Sequence, residues 1–110
     1  MPLSEKARIE VYIPDLPNSA YRNLLDALDE EFMYTFGGAT IVRNLSGSYL
    51  STFGLRMVYT ISLIYTDTSF PFEEYFGRVS RYADEIKNAA FEALQEEAVL
   101  VVALKVYHSE

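Results

Sequence analysis

The sequence has no cysteine and a single histidine. The first absence excludes disulfides, thiolate metal sites and a cysteine nucleophile, and it fits a reducing compartment. The second leaves His108 as the sole imidazole. It stands near the last residue, where strands fray, and reads as solvent-exposed. A metal site would need further ligands. Basic residues are also scarce: nine Lys and Arg against sixteen Asp and Glu give a net charge of −7. That balance excludes the positive surface that phosphate-backbone binding requires, so no nucleic-acid partner is expected. The close pair Arg78 and Arg81 can be matched at helical spacing by Glu74 and Glu85. Long apolar runs are missing too. The longest, Ala98 to Leu104, is too short to span a bilayer. No apolar h-region follows the first residues, so the expectation is a cytoplasmic protein without a membrane partner.

What is present is enough for a core. Half of the 110 residues are apolar and 15% are aromatic, which excludes a disordered chain and predicts one domain spanning 1–110. Arg8 to Ile13 alternates strictly, with Ile9, Val11 and Ile13 on one face and Arg8, Glu10 and Tyr12 on the other: a half-buried strand, closed by Pro14 and Pro17. Asn18 or Ser19 can cap a helix whose apolar stripe is Tyr21, Leu24, Leu25, Leu28 and Phe32. Asp26, Asp29, Glu30 and Glu31 crowd the second half of that helix, against its dipole, and read as a solvated face. Gly37-Gly38 can end it in the left-handed conformation. This glycine pair precedes a strand and lacks the Walker lysine, so it is not a phosphate loop.

A second strand begins at Thr40 and is expected to turn near Asn44–Gly47, with Ser48 to Phe53 extending as an arm. Ser46 and Ser48 flank Gly47 without a nearby base, so turn chemistry is preferred to a nucleophile elbow. The third strand follows Gly54. Its Leu55, Met57, Tyr59, Ile61, Leu63 and Tyr65 are assigned to the core face, and Arg56, Val58, Thr60, Ser62 and Ile64 to the other. A second helix is placed from Pro71, with a stripe that includes Phe72, Tyr75, Val79, Ile86, Ala90 and Leu94. The last strand, Ala98 to Tyr107, is apolar on both sides, which indicates that both its faces are covered. The expected core includes Val11, Leu24, Leu28, Tyr59, Ile61, Val79, Ile86, Val102 and Leu104.

The order strand, helix, strand, strand, helix, strand matches the α+β ferredoxin-like βαββαβ sandwich. Right-handed crossovers then put both helices on one face of a four-stranded antiparallel sheet. The pattern Gly37-Gly38-x-Thr40, Gly47-x-Tyr49, Gly54 and the final Glu97-Ala-Val-Leu-Val-Val resembles small bacterial proteins known only as a domain of unknown function. The resemblance implies the same ferredoxin-like fold and implies no activity.

On this register Glu10, Tyr12 and Arg56 fall on the face the helices leave open. With Tyr49 on the arm as a lid, they form a candidate ligand site for a small anionic or aromatic molecule. The alternative is a Glu10–Arg56 ion pair at a subunit interface. No spacing points to a catalytic residue, a metal ligand or a cofactor. A haem is unattractive because only His108 offers an imidazole. One function class is a homo-oligomeric binding or interaction module. The other is a small-molecule enzyme of the dimeric α+β-barrel kind, with a cleft at the open sheet face. A ligand-sensing regulatory domain is a third. Val58, Ile64, Val99, Val101 and Ala103 are expected on the open face, and burying them predicts a homodimer joined through the sheet face or the 48–53 arm.

Overall fold

A computed structural model describes residues 2–50, 53–95 and 99–109. Strand β1 (Leu3–Pro14) leads into helix α1 (Ser19–Phe36). Strands β2 (Thr40–Leu50) and β3 (Arg56–Asp67) form a long hairpin. Helix α2 (Phe76–Leu94) and strand β4 (Leu100–Ser109) follow. The sheet is antiparallel throughout, in the order β2-β3-β1-β4. This is the expected ferredoxin-like architecture, with β1 and β3 central.

Local chemistry sets the ends of α1. The Asn18 side chain accepts from the Ala20 N–H at 2.9 Å, which satisfies one of the first-turn donors. Gly37 ends the helix at φ 90°, a left-handed value that glycine adopts without a Cβ clash. Tyr21, Leu24, Leu25, Leu28 and Phe32 are all buried against the sheet, as their spacing predicts. Helix α2 starts at Phe76, not at Pro71. The intervening segment makes turns instead, with Tyr75 N–H donating to the Pro71 carbonyl and Phe76 N–H to that of Glu73. The Glu5 carboxylate also holds the Glu73 N–H, at 2.9 Å.

The largest departure from expectation is the facing of β3 and β4. Ser62, Ile64 and Thr66 point to the helices and are buried, whereas Tyr59, Ile61, Leu63 and Tyr65 lie on the open face, half-buried. Val99, just before β4, and Val101 within it pack with the core, and Leu100, Val102, Leu104 and Val106 face outward. Strand β4 is largely apolar on both sides and β3 is apolar on one side and mixed on the other, so hydrophobicity alone does not set their parity. Two hydroxyls allow polar residues inside: Thr66 donates to the Gly38 carbonyl at 2.7 Å and Thr68 to the Ala7 carbonyl at 2.9 Å. Val11, Leu24, Leu28, Val79 and Ile86 are buried as expected. Tyr59, Ile61, Val102 and Leu104 belong to the opposite face.

The hairpin also differs. β2 does not turn at Asn44–Gly47; it runs on to Leu50 through a bulge between Val42 and Leu45, where Asn44 takes φ 63°. The bulged strand and β3 extend past the helices as an arm, and the molecule measures 49 × 26 × 25 Å. Leu50, Phe53, Leu55 and Val58 on the arm are exposed.

Candidate ligand site on the open sheet face

Even-numbered residues of β1 point away from the helices, since Ala7, Ile9, Val11 and Ile13 are buried beneath them. Lys6, Arg8, Glu10 and Tyr12 therefore run along the middle of the open face. Arg8 lies directly opposite Asp67 of β3. Its Nε is 2.5 Å from Asp67 Oδ1 and its second terminal nitrogen 3.0 Å from Oδ2, a bidentate pair. His108 Nε2 is 2.6 Å from the same Oδ2. The Arg8 guanidinium also lies over the Tyr65 ring, 4.4 Å from its centroid. Two of the five guanidinium donors are committed to Asp67.

The hydrogen bond from Arg8 holds the Asp67 carboxyl below the usual aspartate range; burial opposes this, and His108 reinforces it. Next along β1, the Tyr12 hydroxyl donates to Glu10 Oε1 at 2.9 Å. That bond raises the Tyr12 phenol above its ordinary value, with burial and the Glu10 charge adding to it.

The face thus has two halves. Lys6, Arg8, Asp67 and His108 make a charged end, bordered by Glu10 and Tyr65. Beside Asp67 a depression of about 360 Å³ is lined by the 36–40 loop and by Tyr65 and Thr66. The other end, nearest the arm, is apolar. There Tyr12, Pro14, Tyr59, Ile61 and Leu100 enclose a groove of about 100 Å³. Gly47 of β2 sits at its edge, and a Cβ there would stand 2.5 Å from Ile61 Cδ1 and 3.1 Å from Tyr59 Cζ.

Of the residues singled out in the sequence, Glu10 and Tyr12 are together on the open face. Arg56 is not with them. Glu10 pairs with Tyr65, so Arg56 lies nine residues further along β3. That is roughly 30 Å away at about 3.3 Å per residue. Its parity also puts it on the helix side of the strand. The Glu10–Arg56 ion pair is therefore not formed, and Arg8 is the guanidinium on this face. The Tyr49 side chain lies outside the described residues. Arg8 was legible, since it shares the alternation of Glu10 and Tyr12. Asp67 and His108 were not, because their meeting depends on a pairing of strands distant in sequence. Among the described residues no group of three or more His, Asp or Glu side chains is placed to hold a metal ion. Among the same residues no helix is long and apolar enough to cross a membrane.

No family model matches the chain, so nothing supports the unknown-function family that its glycine pattern resembles, and no curated protein matches it. Solved structures do. CutA1 from Oryza sativa aligns with a TM-score of 0.61 at 14% identity, covering 98% of this chain and 85% of that one. The divalent cation tolerance protein Cut A1 from Thermus thermophilus aligns with a TM-score of 0.57 at 18% identity, covering 97% and 88%. The apo form of CPII from Thiomonas intermedia, a nitrogen regulatory PII-like protein, aligns with a TM-score of 0.52 at 21% identity, covering 97% and 95%. These likenesses extend over nearly the whole chain at low identity, and they establish that it adopts the ferredoxin-like α+β fold.

Proposed function

We propose that this chain is a small self-associating binding module of the ferredoxin-like fold. Its open sheet face joins copies through the apolar end and receives a small ligand at the charged end. The observation that carries this reading is the division of one face into those two ends. In a chain of net charge −7, Lys6, Arg8 and His108 gather on one side of one sheet. An uncovered face bearing Leu63, Val102, Leu104 and Leu100 favours a cover, and a second copy supplies one through a two-fold axis. The expected assembly is a homodimer. The ligand class is a small carboxylate or phosphate, met by Arg8 and His108 and oriented beside Tyr65, with Glu10 and Tyr12 setting the border. The regulatory description of CPII is in keeping with a module of this kind.

The single histidine makes the test direct. The His108 ring gives one imidazole signal in proton NMR. Titration with inorganic phosphate or acetate is expected to move it, and Arg8→Ala is expected to abolish the movement while circular dichroism stays native. No shift at millimolar ligand overturns the ligand site. A second reading, a small-molecule enzyme, is favoured by the Asp67–His108 contact alone, since a carboxylate-held imidazole is suited to proton transfer.

A further inference from the structure

We infer that the groove formed by Tyr12, Pro14, Tyr59, Ile61 and Leu100 is the seat for the arm of a second copy of this chain, with Phe53 as the side chain that enters it. The inference rests on the self-association proposed above and assigns its contacts. The groove holds about 100 Å³, which suits one large side chain and no extended ligand. Its walls are apolar, and the Tyr12 hydroxyl on its rim already donates to Glu10. An apolar knob therefore enters without stranding that polar group.

Phe53 is 89% exposed and Leu50 is 72% exposed, the former at the tip of the arm and the latter on its flank. The tip cannot reach its own groove. Tyr59, in the groove wall, lies on the same ribbon as Phe53, six residues further along the chain. A second copy can reach it. When two arms lie antiparallel about a two-fold axis, tip over groove in one direction implies tip over groove in the other, so the contact closes on itself. Charge favours the same end of the face. Two copies of net charge −7 repel, and contact is least opposed where the surface is uncharged. Lys6, Arg8 and His108 stay at the far end, open to ligand.

Because the chain has no native cysteine, engineered pairs report cleanly. Mixing Phe53→Cys with Leu100→Cys under mild oxidation is expected to give a covalent heterodimer. Mixing Phe53→Cys with Tyr34→Cys, a position 82% exposed on the helix side, is expected to give none. Phe53→Ser is expected to raise the dimer dissociation constant at least tenfold, with far-UV circular dichroism unchanged because the side chain stands mostly in solvent. Leu100→Asp tests the groove side in the same way. A wild-type dimer that keeps its affinity in Phe53→Ser and gives no Phe53–Leu100 cross-link overturns the arm contact and leaves self-association standing. A wild-type monomer at micromolar concentration overturns both.

Discussion

Arg8 and Asp67 occupy directly opposed positions on the two central strands, and the guanidinium grips the carboxylate with two nitrogens, at 2.5 and 3.0 Å. Both side chains are mostly shielded, at 27% and 18% exposure. Asp67 is shared, since His108 approaches the oxygen that Arg8's terminal nitrogen also holds. One carboxylate thus ties β3 to both β1 and β4.

The lowered Asp67 acidity constant has a consequence for stability. A carboxyl with a folded value below its unfolded one stabilises the fold above the unfolded value, about 3.9, and loses that contribution as pH falls through the folded value. Asp67→Asn is expected to cost about 1–3 kcal/mol at neutral pH and to flatten part of the acid limb. Urea denaturation across the acid range measures both. A variant whose acid limb matches wild type contradicts this role.

The element order, the first helix stripe and the Asn18 and Gly37 ends were legible because each rests on local spacing. The parity of β3 was not. Its Ser62 and Thr66 look like surface residues in the sequence, yet they are inside, and Thr66 is satisfied by the Gly38 carbonyl across a sequence gap that spacing does not reveal. The candidate site divided along the same line. Glu10 and Tyr12 share one strand and were read together. Arg8's two neighbours in the charged cluster, Asp67 and His108, come from other strands, and only the register brings them in.

The corrected parity is testable by substitution. Ile64 is fully buried under the helices, so Ile64→Ala is expected to destabilise by about 2–5 kcal/mol in chemical denaturation. A loss within experimental error would place the even-numbered side of β3 outside the core.

Gly47 is expected to tolerate little. An added methyl meets Ile61 Cδ1 at 2.5 Å and the Tyr59 ring at 3.1 Å. Ile61 can rotate away but the ring is rigid, so Gly47→Ala is expected to cost about 1–3 kcal/mol through overpacking. An unchanged denaturation midpoint contradicts the close approach of Tyr59 to β2.

Tyr82 predicts behaviour at the alkaline end. Burial, then the charge of Glu31 and the hydrogen bond to it at 3.2 Å, push its phenol well above the ordinary value. A raised folded value stabilises the fold below the unfolded value, about 10, and that contribution is lost as pH rises through the folded one. The ring also packs edge-on to Phe36, with centroids 5.5 Å apart. Tyr82→Phe keeps the ring and removes the ionisable group, so it is expected to lose less stability than wild type above pH of about 10. A parallel alkaline decline in both proteins contradicts the assignment.

The division of the open face into a joining end and a binding end is the central claim, and self-association is its first requirement. Sedimentation equilibrium of the intact chain at micromolar concentration measures it most directly. A mass of two chains is expected, falling toward one chain in a Leu100→Asp variant that keeps its native circular dichroism. A single 12.6 kDa species in wild type contradicts it, because the apolar end would then stand uncovered in water.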